Sequence, residues 1–463
     1  MDELRMISTT GNIGYGYNED SLKEGLKLKP HMVGADAGSM DPGPYYLGEG
    51  ISWVSKAATK RDLRLMLLGA VKNKIPMIIG SAGGSGAEPN LNWTFDIIKE
   101  ISKEENFSFK IALIHSEPDK DYLINKLKKK KIEPLDQIKP LEFQDIENCK
   151  RLVAMMGIEP LIKALKAEAD VILAGRCSDS AIFAALPVMK GFPAGLSWHL
   201  GKIIECAGAI ITPKLGQDCV FGIVEKNSFS VFPTDPTKRC LKSRVAAHTL
   251  YENANPYYIH EPSGMIDTCN CNFDQADYNR VKVTGSQFTY SPQYYVKLEG
   301  VEEVGYRSIC VAGIQDPILI SQIDKFLEFV RVKVKSEVEE NLKISDTDYA
   351  LLFRVYGKNG VSGLFSNYFR GNPYELGLII EVVAKTEEIS KAILAKARYA
   401  TLHSDFEGRM CIAGNLAFPY SPSDISVGRA YRFNIWHIVE LDDPCEIFPM
   451  DMYDINLGEV TND

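Results

Sequence analysis

Residues Gly80–Trp93 read GSAGGSGAEPNLNW, and the fold turns on how this stretch is understood. The apolar run before it, Ile75-Pro76-Met77-Ile78-Ile79, has the length and composition of a short buried strand. After it, Leu91 to Ile101 places apolar residues at helical spacing. The stretch is therefore a glycine-rich turn from a strand into a helix. Glycine permits positive φ and lets a ligand approach main-chain N–H groups. A helix start adds unpaired donors and a partial positive charge. Ser81, Gly83, Gly84, Ser85 and Gly86 are thus expected to hold an anion, whether a carboxylate, a phosphate or a developing oxyanion. Tight packing alone is the plainer use of such a turn. The register is not the dinucleotide GxGxxG, and no P-loop Lys-Ser/Thr follows. Glu88 would repel a phosphate at this point and suits a general acid, a general base or a metal ligand better. Gly83-Gly84-Ser85-Gly86-Ala87 also lacks the final glycine of a nucleophile elbow.

The same alternation recurs along the first half of the chain. Leu4 to Thr9 reads as a strand, followed by the loop TGNIGYGY with Asn12. Asp36 sits where a second strand ends, and Asp41, Pro42 and Pro44 follow in a loop whose prolines forbid regular structure. Phe109 to His115 is a strand ending in His115. Val171 to Ala174 is another, followed by the loop GRCSDS with Arg176 and Asp179. Cys149 to Ala169 and Ser197 to Ile210 read as helical. Strand, loop and helix in repetition imply a parallel sheet with right-handed crossovers and helices on both faces. Beyond Pro213 the texture changes to short half-exposed strands, such as Phe221 to Val224, and long helices, such as Ile318 to Val338. The expected fold class is α/β: an N-terminal parallel-sheet, Rossmann-like domain followed by an α+β domain. Residues 1–213 form the first, with glycine-rich ligand-binding loops, and residues 214–463 the second, with mostly antiparallel strands. The glycine- and proline-rich loop Gly408 to Ser423 is expected to close the N-terminal site or fill a subunit interface.

The polar residues concentrate after the strands, and parallel strands bring such loops to one edge of the sheet. That convergence is the main sign of an active site. Glu88, Asp36, His115 and Asp179 are the catalytic candidates. Ser81, Gly83, Gly84, Ser85, Gly86, Arg176, Asn12 and His260 are the substrate-binding candidates, Arg176 because it can grip a carboxylate with two parallel bonds. His260-Glu261 is a further acid–base pair. The structural alternatives are Asp36 and Asp41 bonding their own turns, His115 closing a strand end, and Arg176 pairing with Asp179. Loss of water or ammonia beside a carboxylate needs a base, an acid and fixed donors for an enolate-like oxyanion, and these loops offer all three. The leading expectation is a lyase or hydratase acting on a hydroxy- or branched carboxylic acid or its CoA thioester. A non-catalytic CoA- or nucleotide-binding subunit is the alternative. Asp36, Asp41, Glu88 and Asp179 are donors of the kind Mg²⁺ or Mn²⁺ takes, yet their spacing compels no metal, and no HExxH or paired CxxC argues for zinc. The cofactor is left open between Mg²⁺ and CoA.

Composition narrows the class. The 463 residues are 45% hydrophobic and 24% charged, ordinary globular values. A net charge of -9 argues against general nucleic-acid binding. The one dense basic run, KLKKKK at Lys126 to Lys131, reads as a solvated helix face. No stretch approaches the ~20 apolar residues of a membrane span, and the start lacks a basic-then-apolar signal pattern, so the expected location is cytoplasmic. The ten cysteines are scattered, and Cys269-Asn270-Cys271 is read as free thiols.

Five separated motifs carry a family resemblance: GADAGSMDPGPYYLG, GSAGGSGAEPNLNW, AGRCSDSAIFAA, YIHEPSG and GNLAFPYSPSDISVG. In this order, and over Gly11 to Phe448, the chain resembles the acyclic terpene utilisation (AtuA-like) family. The resemblance implies a bacterial catabolic setting of the citronellol and geraniol type, an enzyme in a route through acyl-CoA intermediates, and a small companion subunit; a homo-oligomer is expected from the chain's size and its proline-rich C-terminal loop. It brings no settled reaction to individual residues. Phe288 to Tyr294 (FTYSPQY) departs from it, being aromatic where relatives are rich in arginine and glycine.

Overall fold

The computed structural model describes residues 2–363 and 373–462. At its centre lies an eleven-stranded sheet. In chain order its strands are β1 (Glu3–Ser8), β2 (Met32–Asp36), β3 (Met77–Gly80), β4 (Ser108–Ile114), β5 (Val171–Ala174), β6 (Val220–Glu225), β7 (Phe229–Pro233), β8 (Asn272–Gln275), β9 (Val281–Thr284), β10 (Met450–Asn456) and β11 (Glu459–Asn462). In space they run β8-β9-β7-β6-β1-β2-β3-β5-β4-β10-β11. The five middle strands, β1 to β5, are parallel. β6 to β9 extend the sheet antiparallel beyond β1, and β10 and β11 do the same beyond β4. The result is a mixed α/β sheet with a parallel centre. Its order is not that of the dinucleotide fold, in which the chain reverses about the first strand. Here β1 to β3 advance in one direction and β5 inserts between β3 and β4.

The helices that matter here are α1 (Glu19–Lys27), α2 (Lys56–Asn73), α3 (Glu88–Glu105), α4 (Ile158–Lys166), α5 (Asp179–Met189), α6 (Ala194–Ile204) and α7 (Lys242–Thr249). The apolar strand runs follow from burial on both faces. Met6, Met32, Ile78, Ala112 and Ile172 face Phe183 of α5 and Trp198, Leu200 and Ile203 of α6. Their alternating neighbours Ile7, Val33, Ile79, Leu113 and Leu173 face Leu63 and Leu67 of α2 and Leu91, Ile97 and Ile101 of α3. Each such side chain, fully buried, contributes about 1.5–3 kcal/mol. Ser55 caps α2 by accepting from the Ala58 N–H, as a helix-starting hydroxyl should.

By compactness the chain divides into residues 1–302 with 433–463, and Glu303–Arg432. The expected boundary at 213/214 does not coincide with this division. β6 and β7, which lie beyond it, hydrogen-bond directly into the sheet through β1. The unit Glu303–Arg432 is α+β. Tyr306 to Ile314 pairs antiparallel with Leu376–Ala384, which pairs with Tyr349–Tyr356. The helices Ile323–Leu342 and Glu387–His403 supply Phe326, Val330, Val334, Ile393 and Leu394 to its core. The loop Gly408 to Ser423 fastens to its own unit: Asn415 Nδ2 donates to the carbonyls of Thr401 and Ser404, and Gly313 and Ala417 exchange backbone bonds.

Three local readings change. Cys149–Ala154 is a strand rather than helix, because it pairs antiparallel with Leu298 to Glu302. Helix α7 is shorter than the segment Thr237 to Glu252 that reads as helical. Lys126 in the basic run is buried, and its ammonium donates to the Glu440 carbonyl, Asp442 and Glu446. The two ends of that run, Lys126 and Lys131, therefore anchor the segment Glu440 to Glu446, while Lys128 to Lys130 are exposed.

Candidate active site

The glycine-rich loop after β3 is buried, and its donors are engaged by the protein itself. Ser81 and Ala82 N–H donate to the carbonyls of Gly175 and Ala174 at 3.0 Å, and Gly84 and Gly86 N–H to carbonyls within the loop. At the start of α3 the Glu88 N–H donates to the Glu117 carboxylate at 2.7 Å. The anion at this helix start is thus a side chain of the same protein. A Cβ at Gly86, where φ is 71°, would collide with the Arg176 backbone nitrogen. The loop brings strand ends together: Ser81 Oγ accepts from Arg176 Nη1 at 3.1 Å and from the Cys177 N–H at 3.3 Å. Ser85 Oγ donates to Asn90 at 2.9 Å, and Asn90 donates to the Gly83 carbonyl at 2.7 Å.

What this scaffold presents is a cavity of about 550 Å³ at the carboxyl ends of β1, β2 and β5. Asn12 follows β1, Asp36 ends β2, and Asp179 follows β5 at the start of α5; all three line it. Cys206, Lys214 and Gln217 come from beyond α6, and Arg244, His248 and Tyr251 from α7 and the residues after it. Tyr15, Pro42 and Trp53 add apolar wall. Among the described residues, neither amide atom of Asn12 has a hydrogen-bond partner, although the side chain is buried. Asp36 Oδ1 and Asp179 Oδ1 are likewise without one. Asp36 Oδ2 accepts from the Gly38 N–H at 3.2 Å. Buried polar atoms are nearly always paired, so three such side chains lining one cavity make it the candidate site.

The protonation states follow from the surroundings. Burial and the Asp179 charge push the Asp36 carboxyl well above the usual carboxylate range, against the pull of Arg176. Burial also raises Asp179, with Arg176 (Nη1 to Oδ1 4.0 Å) and Lys202 pulling back. The Asp179 side chain is 36% accessible and lines the cavity, whereas Asp36 is buried. Asp36 is raised further than Asp179, so in a pair that shares its charge Asp36 is the member that keeps the proton longer. Arg176 is fixed from behind: its Nε donates to Glu299 at 2.7 Å, and Lys297 reaches the same carboxylate at 2.7 Å. Those two cations overcome the desolvation of Glu299 and hold it low. Glu205 is pushed up to about 8 by burial although Lys202 bonds it at 2.5 Å. Burial pushes Glu261 up to about 7; its carboxylate accepts from Ser178 at 2.6 Å. Burial pushes His248 down to about 4.

The remaining candidates lie elsewhere. Glu88 and His115 do not line the cavity. His115 bonds Glu88 through Nδ1 at 2.7 Å and Asp451 of β10 through Nε2 at 3.0 Å. The Glu88 bond, opposed by partial burial, raises His115 to about 9. His260 lines a second, more apolar cavity of about 510 Å³ with Glu261, Tyr290 and Lys297. The aromatic segment Phe288 to Tyr294 forms part of that wall through Tyr290, Ser291 and Pro292. Residues that sequence reading did not assign to the site are Lys202, Glu205, Cys206, Lys214, Arg244 and His248. One signal was available: Lys202 and Glu205 are opposite charges three apart at the end of a mostly apolar helix, and buried charges come paired. His248 has no comparable signal.

The fold is α/β, and its cavity, lined by the Asp36–Asp179 acid pair, has a volume within the roughly 300–1,000 Å³ of small-molecule sites. A family model described as acyclic terpene utilisation family protein AtuA matches residues 56–415. The chain belongs to this family, whose description ties it to acyclic terpene utilisation, a catabolic role. No match was found among curated proteins or among solved structures. Among the described residues no helix is long and apolar enough to cross a membrane. All ten cysteines are free.

Proposed function

We propose that the protein is a catabolic lyase or hydratase acting on a hydroxy- or branched carboxylic acid, free or as its thioester. The observation that carries this reading is the Asp36–Asp179 pair, two carboxyls in one cavity with unpartnered oxygens and unequal protonation. In elimination, ionised Asp179 takes the proton α to the substrate carboxyl. Protonated Asp36 gives its proton to the departing hydroxyl, which leaves as water. The electron pair of the broken C–H bond becomes the new double bond, and a proton passing from Asp179 to Asp36 resets the pair. The Asn12 amide is the donor for the enolate-like oxygen. Lys214 and Arg244, exposed side chains in the cavity wall, match an anionic group on the substrate.

The test is proton NMR in D₂O with hydroxy acids, their unsaturated products and the corresponding CoA thioesters. Exchange of the α proton or loss of water by the wild type, absent in Asp179→Asn, supports the reading. Failure of every acid and thioester to exchange or eliminate would sink it. Binding of CoA or nucleotides unaffected by Asp179→Asn would then favour a non-catalytic subunit.

A further inference from the structure

We infer that the chain binds one thiophilic divalent cation, Zn²⁺ or its surrogate Co²⁺, through Glu205, Cys206 and His248 in the cavity wall. One donor atom from each lies within 4.8 Å of the other two. Glu205 and Cys206 follow directly on the end of α6, and His248 stands in the last turn of α7. Two helix ends thus bring three donors to one point. Tetrahedral bonds of about 2.0–2.3 Å put ligand atoms roughly 3.5 Å apart, so closing on an ion takes a shift of about 1 Å.

A second observation stands apart from this proximity. His248 is 8% exposed, and its Nε2 has no hydrogen-bond partner among the described residues. Such an imidazole is costly to bury unless something takes its lone pair or its proton. The ring is held in place by stacking on Tyr251, centroids 5.3 Å apart and 16° from coplanar. Glu205 is oriented from outside: Lys202 Nζ bonds Oε1 at 2.5 Å and Ser180 Oγ bonds Oε2 at 3.3 Å. A carboxylate held by a cation and a hydroxyl retains lone pairs for a metal, and such supporting bonds are what orient ligands. A thiolate, an imidazole and a carboxylate suit Zn²⁺ and its neighbours, not Mg²⁺. Cys206 and His248 both line the cavity. Three protein donors leave a fourth position for water or a ligand, as catalytic rather than structural sites do.

The metal is read by mass and absorbance rather than by turnover, so this inference stands or falls apart from the acid–base reading. The purified full chain is stripped with chelator, dialysed, and titrated with Co²⁺ and then Zn²⁺. One equivalent per chain is expected. Cobalt should give a near-ultraviolet sulfur-to-metal charge-transfer band that Zn²⁺ displaces. Cys206→Ser should abolish that band, and His248→Ala should weaken binding by more than about tenfold, since loss of even supporting partners costs 10–100-fold. Thermal melting of both variants guards against misfolding, and the wild-type band decides the matter should either variant fail to fold. No stoichiometric uptake by the wild type, or a band unchanged in Cys206→Ser, would overturn the inference.

Discussion

Two acidic clusters lie beyond the same edge of the parallel sheet, and they differ in what their charges touch. Glu88, after β3, and Asp451, on β10, grip His115 from both sides. Asp36, at the end of β2, and Asp179, after β5, line one cavity, each with an oxygen that accepts no hydrogen bond. The first cluster spends its charge on holding the structure. The second leaves its charge unsatisfied, and unsatisfied buried groups are what chemistry can use. Position after a strand is common to both clusters. Only pairing separates them.

The largest effect that would sharpen this contrast is on turnover. Asp36→Asn and Asp179→Asn should each lower kcat by about 10²–10⁴ on the acid identified by NMR, while Glu88→Gln leaves it near wild type. A Glu88→Gln enzyme as dead as the cavity variants would break the comparison. The wild-type pH profile should be bell-shaped. Turnover rises as Asp179 loses its proton and falls as Asp36 loses its own, with both limbs above the usual carboxylate range. Groups facing the pair that can blur the limbs are Arg176, Lys202, Glu205, Glu252, Glu261 and Lys297.

Next in size is Arg176→Met, which leaves the buried Glu299 carboxylate with Lys297 as its remaining cation partner. It should cost about 3–5 kcal/mol in denaturant unfolding at neutral pH. Arg244→Ala should raise KM by about tenfold with kcat little changed, if this cation holds the substrate's anionic end.

The smallest effects are on stability against pH: both clusters lose stability as pH rises, in different pH windows. Asp36 binds its proton more tightly folded than unfolded. Wild-type stability should therefore fall as pH rises from about 4, where the unfolded chain ionises, through the folded value. Asp36→Asn removes that loss, so its advantage in Tm should grow with pH. His115 is raised from about 6.5 to about 9. Its contribution is complete below about pH 6.5 and lost as pH passes 9, and Glu88→Gln should flatten that decline. Both groups of this pair are partly exposed, so the change is about 0.2–1 kcal/mol. Melting curves of the three proteins from pH 4 to about 10 would check all of this.

Much of the parallel centre was legible because strands buried on both faces are written as unbroken apolar runs. Ile75 to Ile79, Phe109 to His115 and Val171 to Ala174 announce themselves in this way. β10 was not legible, since Met450–Asn456 alternates apolar and charged residues and its partner lies hundreds of positions away. β6 and β7 were legible as strands but not as members of this sheet, because antiparallel partners leave no local mark. At the site, Asn12, Asp36 and Asp179 followed from strand-end position. Glu88 followed from the same logic, and geometry alone sets it apart: Glu117 already occupies the helix start beside it. Glu205, Cys206 and His248 meet through two helix ends that no motif joins.

The pairing of β4 with β10 has a consequence in time. Met450 lies opposite Ile114, about 340 residues later in the chain. At about 5–20 residues per second of synthesis, the outer edge of β4 waits roughly 20–70 s for its partner. For that interval Ile111, Leu113 and their backbone groups form an open, apolar sheet margin on the growing chain. Until Met450–Asn456 has been made, that margin lacks its antiparallel partner.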